Sequence, residues 1–218
     1  MGDVIPLGVA VAMSPVPVIA ALLILLAPVG VRGGSLFLAA RMGSFAVLTA
    51  LFAGGSDLAD DAAESTTPAA VVRLLIGTAL VVGAVVTWRR RARGDDEPEL
   101  PGWMHTIDGM GPAATFRFGV VFTVANPKEI AFAAGAGFTI GGAMLGVGDM
   151  VAAGAVFVVI ACLSVVVPVV AVLVGGARLA PALTATRAWL VRHISVVITI
   201  VMLALGAILI NSGITTLL

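Results

Sequence analysis

The sequence predicts an all-α integral membrane protein whose six transmembrane helices form two inverted three-helix repeats, with helices 1 and 4 broken. Three observations lead there. The 218 residues are 60% hydrophobic and 11% charged, with mean hydropathy +1.16, against roughly a quarter charged in a soluble domain. Twelve basic and 12 acidic side chains cannot clothe so apolar a surface in water. Six apolar segments each reach the roughly 20 residues that cross a bilayer, and two of them carry proline-centred interruptions.

The spans run over 4–29, 34–56, 69–88, 113–147, 150–176 and 190–213. The first lacks a basic leader and a clear cleavage site, so it is expected to persist as a helix rather than act as a signal peptide. Arg32, Arg89, Arg90, Arg91, Arg93, Arg117, Arg178, Arg187 and Arg192 all fall on one side of this arrangement. Arg73 falls on the other, with Asp3, Asp57, Asp60, Asp61, Glu64 and Asp149. Arginine-rich segments stay inside, so the chain is expected in the plasma (inner) membrane with both termini outside.

The long inner loop divides the chain into residues 1–88, a first three-helix repeat, 89–112, a cytoplasmic loop, and 113–218, a second repeat. An odd number of spans per half inverts the second relative to the first, an architecture of many secondary transporters. The basic cluster of the loop reads as a topology anchor, with binding of anionic lipid headgroups as the alternative. Asp95, Asp96, Glu97 and Glu99 with Pro98 and Pro101 read as a solvated linker.

The breaks occupy matching places in the two halves. Span 1 holds Met13-Ser14-Pro15-Val16-Pro17 and span 4 holds Ala125-Asn126-Pro127-Lys128-Glu129. Proline has no N–H and clashes with the carbonyl four residues back, and such backbone survives in a membrane only when buried in protein or lining a cavity. Ser14 and Asn126 stand where caps of restarted half-helices belong, and paired half-helix ends are a pointer to a transport site. The alternative is two simple proline kinks.

Charge marks the same region. Eleven of the 12 basic residues are arginine, and the lone lysine, Lys128, stands at the second break beside Glu129. Neighbouring residues on a helix point about 100° apart, so these two need separate partners. Arg41 pairs with Glu129 or snorkels to the inner interface. Lys128 anchors an anionic group, with Glu129 as counter-ion or proton carrier, or it merely ties off carbonyls freed by the break. The candidate substrate- or ion-binding set is therefore Ser14, Pro15, Pro17, Arg41, Asn126, Pro127, Lys128 and Glu129.

Other features are less specific. Gly137 and Gly141, then Gly142 and Gly146, make two GxxxG steps for close helix packing, internal or at a homodimer face. VVGAVV around Gly83 and ALGAIL around Gly206 give spans 3 and 6 a shared small-residue step. Pro168 is expected to kink span 5, and Cys162 to be a buried structural thiol. With one cysteine and two separated histidines, His105 and His193, no metal site is expected. The absence of a basic patch excludes nucleic acid as a partner. No Walker loop, G-x-S-x-G or H-E-x-x-H is present, so no cofactor and no enzymatic activity are expected.

The stretches MSPVPVIAALLILLAP (Met13 to Pro28) and ANPKEIAFAAGAG (Ala125 to Gly137), set in six spans with a basic inner loop, resemble the GAP or Sap family. These are glycolipid- or peptidoglycolipid-addressing membrane proteins of mycobacteria and other actinobacteria, within the wider LysE exporter superfamily. The resemblance places Ser14, Pro15 and Pro17 on the first motif and Asn126, Pro127 and Lys128 on the second. Ser-Pro-Val-Pro replaces the Pro-Gly-Pro common in amino-acid exporters, which favours the lipid-addressing branch. It implies an exporter moving a glycolipid or other anionic lipid toward the cell envelope. The alternatives are a proton-coupled exporter of an amino acid or ion, and a non-transporting partner of a lipid-export machine.

Overall fold

The computed structural model describes residues 4–56, 66–90, 106–143 and 145–217, all helical apart from short breaks and turns. Asp3, the acids Asp57, Asp60, Asp61 and Glu64, the loop residues Arg91 through His105, and the side chain of Arg73 lie outside the described residues.

Among the described residues the α-helices are, in order, α1 (Val4–Ala12), α2 (Pro15–Leu26), α3 (Gly30–Gly54), α4 (Thr66–Arg90), α5 (Pro112–Val124), α6 (Pro127–Gly141), α7 (Val147–Gly175) and α8 (Ala180–Leu217). Both anticipated breaks are present, one between α1 and α2 and one between α5 and α6. α1 and α2 meet at a 53° bend. Helix ends shift from the sequence reading: α6 stops at Gly141, α7 begins at Val147 and α8 begins at Ala180. Pro168 lies inside a continuous α7.

By length and composition α3 and α7 are each able to cross a membrane, their best windows having mean hydropathies of 1.8 and 3.1, and the bent α1–α2 pair adds a third candidate. α5 and α6, at 13 and 15 residues, fall short singly of the roughly 20 that a span requires.

The chain divides into two compact units, described separately. The first contains Met1–Asp57 and Leu100–Ala188, and the second contains Leu58–Glu99 and Trp189–Leu218. In the first unit α3 packs against α2, α5, α6 and α7, while α7 packs against α1, α2, α3 and α6. α2 is apolar on all sides and buried accordingly, with Ile19, Ala20, Ala21 and Ile24 fully enclosed. A core cluster of Val11, Phe45, Ala133, Phe157 and Cys162 among others ties α1, α3, α6 and α7 together, with Phe45 and Phe157 edge to face at 5.9 Å. α3 begins at Gly30, whose φ of 51° is costly for any residue with a Cβ. Outward positions such as Val47, Leu51, Val167, Leu173 and Val174 remain exposed, as a lipid-facing surface requires.

Small residues set the helix spacing. A Cβ at Gly137 would stand 2.7 Å from the Thr49 carbonyl oxygen and 2.9 Å from the Ala53 nitrogen, and one at Gly141 would strike the Ala53 carbonyl and Ser56. This GxxxG step is therefore used in packing α6 on α3. In the second unit Gly206 faces Gly77, each Cβ position lying within 3.0 Å of the other's carbonyl oxygen, whereas Gly83 faces Met202.

Gly137→Ala should cost about 1–3 kcal/mol, because backbone cannot retreat as a side chain can. Gly146→Ala, with open space around it, should stay within about 0.5 kcal/mol of wild type. Denaturant titration of the micelle-solubilised protein measures both.

Candidate functional site

The second break is built by its own sequence. Asn126 is extended (φ −93°, ψ 109°) and its side chain accepts a hydrogen bond from the Lys128 N–H at 3.1 Å. Pro127 takes the first helical position, where its missing N–H is harmless. Lys128 and Glu129 thereby enter the first turn of α6, where Glu129 meets the positive end of the helix dipole.

Glu129 is claimed by Arg41. The guanidinium donates from Nη1 to Oε2 at 3.0 Å and from Nη2 to Oε1 at 3.1 Å, the fork-to-fork arrangement that gives both strength and orientation. Nη1 also donates to Thr123 Oγ1 at 3.3 Å, and that hydroxyl donates to the Gly119 carbonyl at 3.0 Å. Gly119 makes the approach possible, since a Cβ there would lie 2.8 Å from the Ala40 Cβ. Around the pair, the rings of Phe37, Phe45 and Phe122 have centroids 5.8, 5.4 and 5.4 Å from the guanidinium carbon, within cation–π range. Arg41 is 0% and Glu129 1% exposed. Among the described residues Arg41 Nε has no hydrogen-bond partner.

Of the two fates open to Arg41 in the sequence, the structure therefore has the pair. Because α3 begins at Gly30 rather than near residue 34, Arg41 stands eleven residues in, about 16 Å along the axis. That is too deep for its side chain to reach the end of the helix.

Lys128 points elsewhere. It is half-buried, with Nζ 5.7 Å from the Phe132 ring one turn on, and no carboxylate lies within 4.0 Å of it among the described residues. Glu129 and Lys128 consequently have separate surroundings, as their angular offset requires.

The first break differs in detail. Ser14 is extended and occupies the cap position of α2, with Pro15 and Pro17 buried after it, but its side chain makes no capping bond. The expectation that Ser14 would cap like Asn126 is therefore corrected: Pro17 leaves no N–H at the third helical position, and Ser14 does not take the N–H of Val16, the counterpart of the Lys128 N–H that Asn126 accepts. Beside the break lies a cavity of about 580 Å3, lined by Val9, Met13, Leu22, Ser164, Pro168 and Thr186 among others. Its surface is almost wholly apolar. Ser164 Oγ has no partner among the described residues, and Pro168, four residues on, cannot donate to the Ser164 carbonyl.

Thr123, the three phenylalanines and Ser164 escaped the sequence reading. The aromatic stripe was nevertheless legible: Phe37, Arg41 and Phe45 recur at four-residue spacing, one face of a helix. Thr123 left no such signal, because only the fold brings α5 against α3.

Comparison with protein families finds a match over residues 4–215 to the family described as Sap, sulfolipid-1-addressing protein. Searches of curated proteins and of solved structures found no match.

Arg41→Ala or Glu129→Ala alone should each destabilise the protein by about 3–5 kcal/mol, since each leaves a buried charge unpaired. The double substitution Arg41→Met, Glu129→Met should cost well below the sum of the two single methionine variants. Arg41→Lys should behave as a broken pair, because an ammonium cannot make the fork. A double-mutant cycle in detergent unfolding reads all of these.

Proposed function

The chain belongs to the Sap family of sulfolipid-1-addressing proteins, and on that premise we propose that it is a membrane exporter carrying a glycolipid or other anionic lipid toward the cell envelope. The observation that carries this reading is the cavity at the first break. Pockets of about 300–1,000 Å3 hold drug-sized ligands, and this one offers about 580 Å3 of nearly pure hydrocarbon lining. An acyl chain suits such a lining. An amino acid or inorganic ion would have to shed its hydration there with almost nothing to replace it, so the cavity weighs against the small-solute alternative.

In this reading the six helical stretches are six spans: the α1–α2 pair, α3, α4, the α5–α6 pair, α7 and α8. They form inverted repeats over 1–88 and 113–218 about the inner loop, in the plasma membrane with both termini outside. Ser14, Pro15 and Pro17 hold the first break open beside the cavity, while Asn126 and Pro127 shape the second. The Arg41–Glu129 bridge ties α3, from the first repeat, to α6, from the second. That engagement favours a structural clasp over a proton carrier for Glu129. Lys128, half-buried and outside the clasp, supplies the positive charge for an acidic headgroup. The machinery is that of a carrier and not of an enzyme, and it needs no cofactor.

Deleting the gene should remove one acylated lipid from the outer envelope in extracted-lipid mass spectra. Wild type should restore it, and Lys128→Ala should restore less than about a tenth of it, because a hydrogen bond to a charged group is worth roughly 1.5–3 kcal/mol. An unchanged lipid profile in the deletion strain would overturn the proposal.

A further inference from the structure

The register of α1 against α6 brings the two breaks together. α2 turns back into α3 through the three residues between Leu26 and Gly30, so these two helices run in opposite directions. α6 runs the same way as α3, since Glu129 meets Arg41, Gly137 meets Phe52 and Gly141 meets Ser56 in order along both. α1 bends from α2 by 53° and therefore runs against α6. The two touch at Leu7, whose Cδ1 lies 3.6 Å from where a Cβ on Gly135 would stand. From that contact Ser14 is seven residues on and Lys128 seven residues back, which in opposed helices are steps in one direction of about 10 Å each. Seven residues are also close to two turns, so both steps return to the touching faces. Although α1 ends at Ala12, the Met13 N–H to Val9 carbonyl and Ser14 N–H to Val11 carbonyl bonds, at 2.9 and 3.1 Å, carry its last turn on to Ser14. Ser14 and Lys128 thus stand at one level, on facing sides.

This place is rich in donors. The Lys128 ammonium lies over the Phe132 ring and has neither a carboxylate nor a hydrogen-bonded carbonyl among the described residues, so it does not tie off the broken backbone. The Ser14 hydroxyl caps nothing, and Asn126 spends its carbonyl oxygen on the Lys128 N–H, which leaves its NH2 group. All three residues are only partly buried. The enclosed polar atoms without partners are Arg41 Nε, Thr49 Oγ1 and Ser164 Oγ, so the Ser14 and Lys128 donors remain within reach of a ligand. Arg41 and Glu129 cancel each other in their bridge, and Lys128 leaves one unit of positive charge uncompensated. Charge among apolar helices calls for a counter-charge. The apolar cavity begins at the same level, where Val9, Ala12 and Met13 line it.

We propose that the two breaks form a single headgroup site, in which the Lys128 ammonium and the Ser14 hydroxyl hold the same oxyanion, a singly charged sulfate or phosphodiester of a lipid whose chain lies in the adjacent cavity. One uncompensated cation matches one negative charge, and donors arriving from two opposed helices suit an anion with oxygens on several sides. The inference rests on the lipid-export reading for the ligand being a lipid. It adds Ser14 as a residue that holds the ligand, and a limit of one charge on the headgroup.

The test titrates the full chain in dodecylmaltoside micelles with phosphatidylglycerol or cerebroside sulfate and counts bound lipid by native mass spectrometry. Both should bind, with phosphatidylcholine weaker by at least about tenfold. Lys128→Gln should lose at least about tenfold and Ser14→Ala about fivefold, the weights of a charged and a neutral donor. Lys128→Arg and Ser14→Thr should each recover most of the loss. Ser14→Ala should melt with wild type, since that hydroxyl makes no capping bond. Arg32→Gln, exposed on α3, should bind as wild type does. Phosphatidic acid in alkaline buffer, a dianion, should bind no tighter than phosphatidylglycerol, and sodium sulfate should not displace the lipid.

Equal binding of phosphatidylcholine, an Arg32→Gln loss matching that of Lys128→Gln, or indifference to Ser14→Ala would each overturn the site. Tighter binding of the dianion would overturn the single-charge limit, and displacement by sulfate would make the ligand a free anion instead of a lipid. The export reading fails separately, if the deletion strain keeps its envelope lipids, whatever the micelle titrations give.

Discussion

The Arg41–Glu129 bridge is the constraint around which the first unit is arranged. Two full charges sit where neither sees solvent, and a buried pair is tolerable only with good geometry and its remaining donors and acceptors largely satisfied. Each requirement falls on a particular residue. Asn126 and Pro127 restart α6 so that Glu129 enters at its first turn, and Gly119 and Gly137 let α5 and α6 come close enough to α3 for the carboxylate and the Thr123 hydroxyl to reach the guanidinium. Three aromatic faces close the remaining sides. Removing any of these would leave charge in hydrocarbon, so the breaks, the small residues and the phenylalanine stripe belong to one solution.

Much of this was readable from the residues. The two breaks were visible because proline withholds an N–H wherever it stands, and the Asn126 cap because asparagine before proline favours that geometry. Glu129 needed a partner at its depth, and Arg41 was one of few candidates. What stayed hidden depends on three dimensions. Ser14 and Asn126 look equivalent in the sequence, yet only Asn126 makes a capping bond. Thr123 and Ser164 are unremarkable hydroxyl residues in apolar runs, and only helix packing shows that one relays a hydrogen bond while the other is left over at a cavity. The Sap family membership rests on the whole of 4–215, whereas the resemblance in the sequence rested on two short stretches.

α7 is the second organising element. Its buried side is one continuous stripe at helical spacing, Ala153, Phe157, Ala161, Val165, Val169 and Val172, and this stripe meets α1, α2, α3 and α6 in turn.

The bridge also has a history within each molecule. Its partners are 88 residues apart in sequence, and at about 5–20 residues per second a ribosome takes roughly 4–18 s to make the intervening chain. For that interval Arg41 is without the carboxylate that pairs it in the finished fold, a burden of roughly 2.5–3.5 kcal/mol on the insertion scale for a charge at the centre of a crossing helix. Biogenesis, as much as the finished fold, thus limits which residues can surround that arginine.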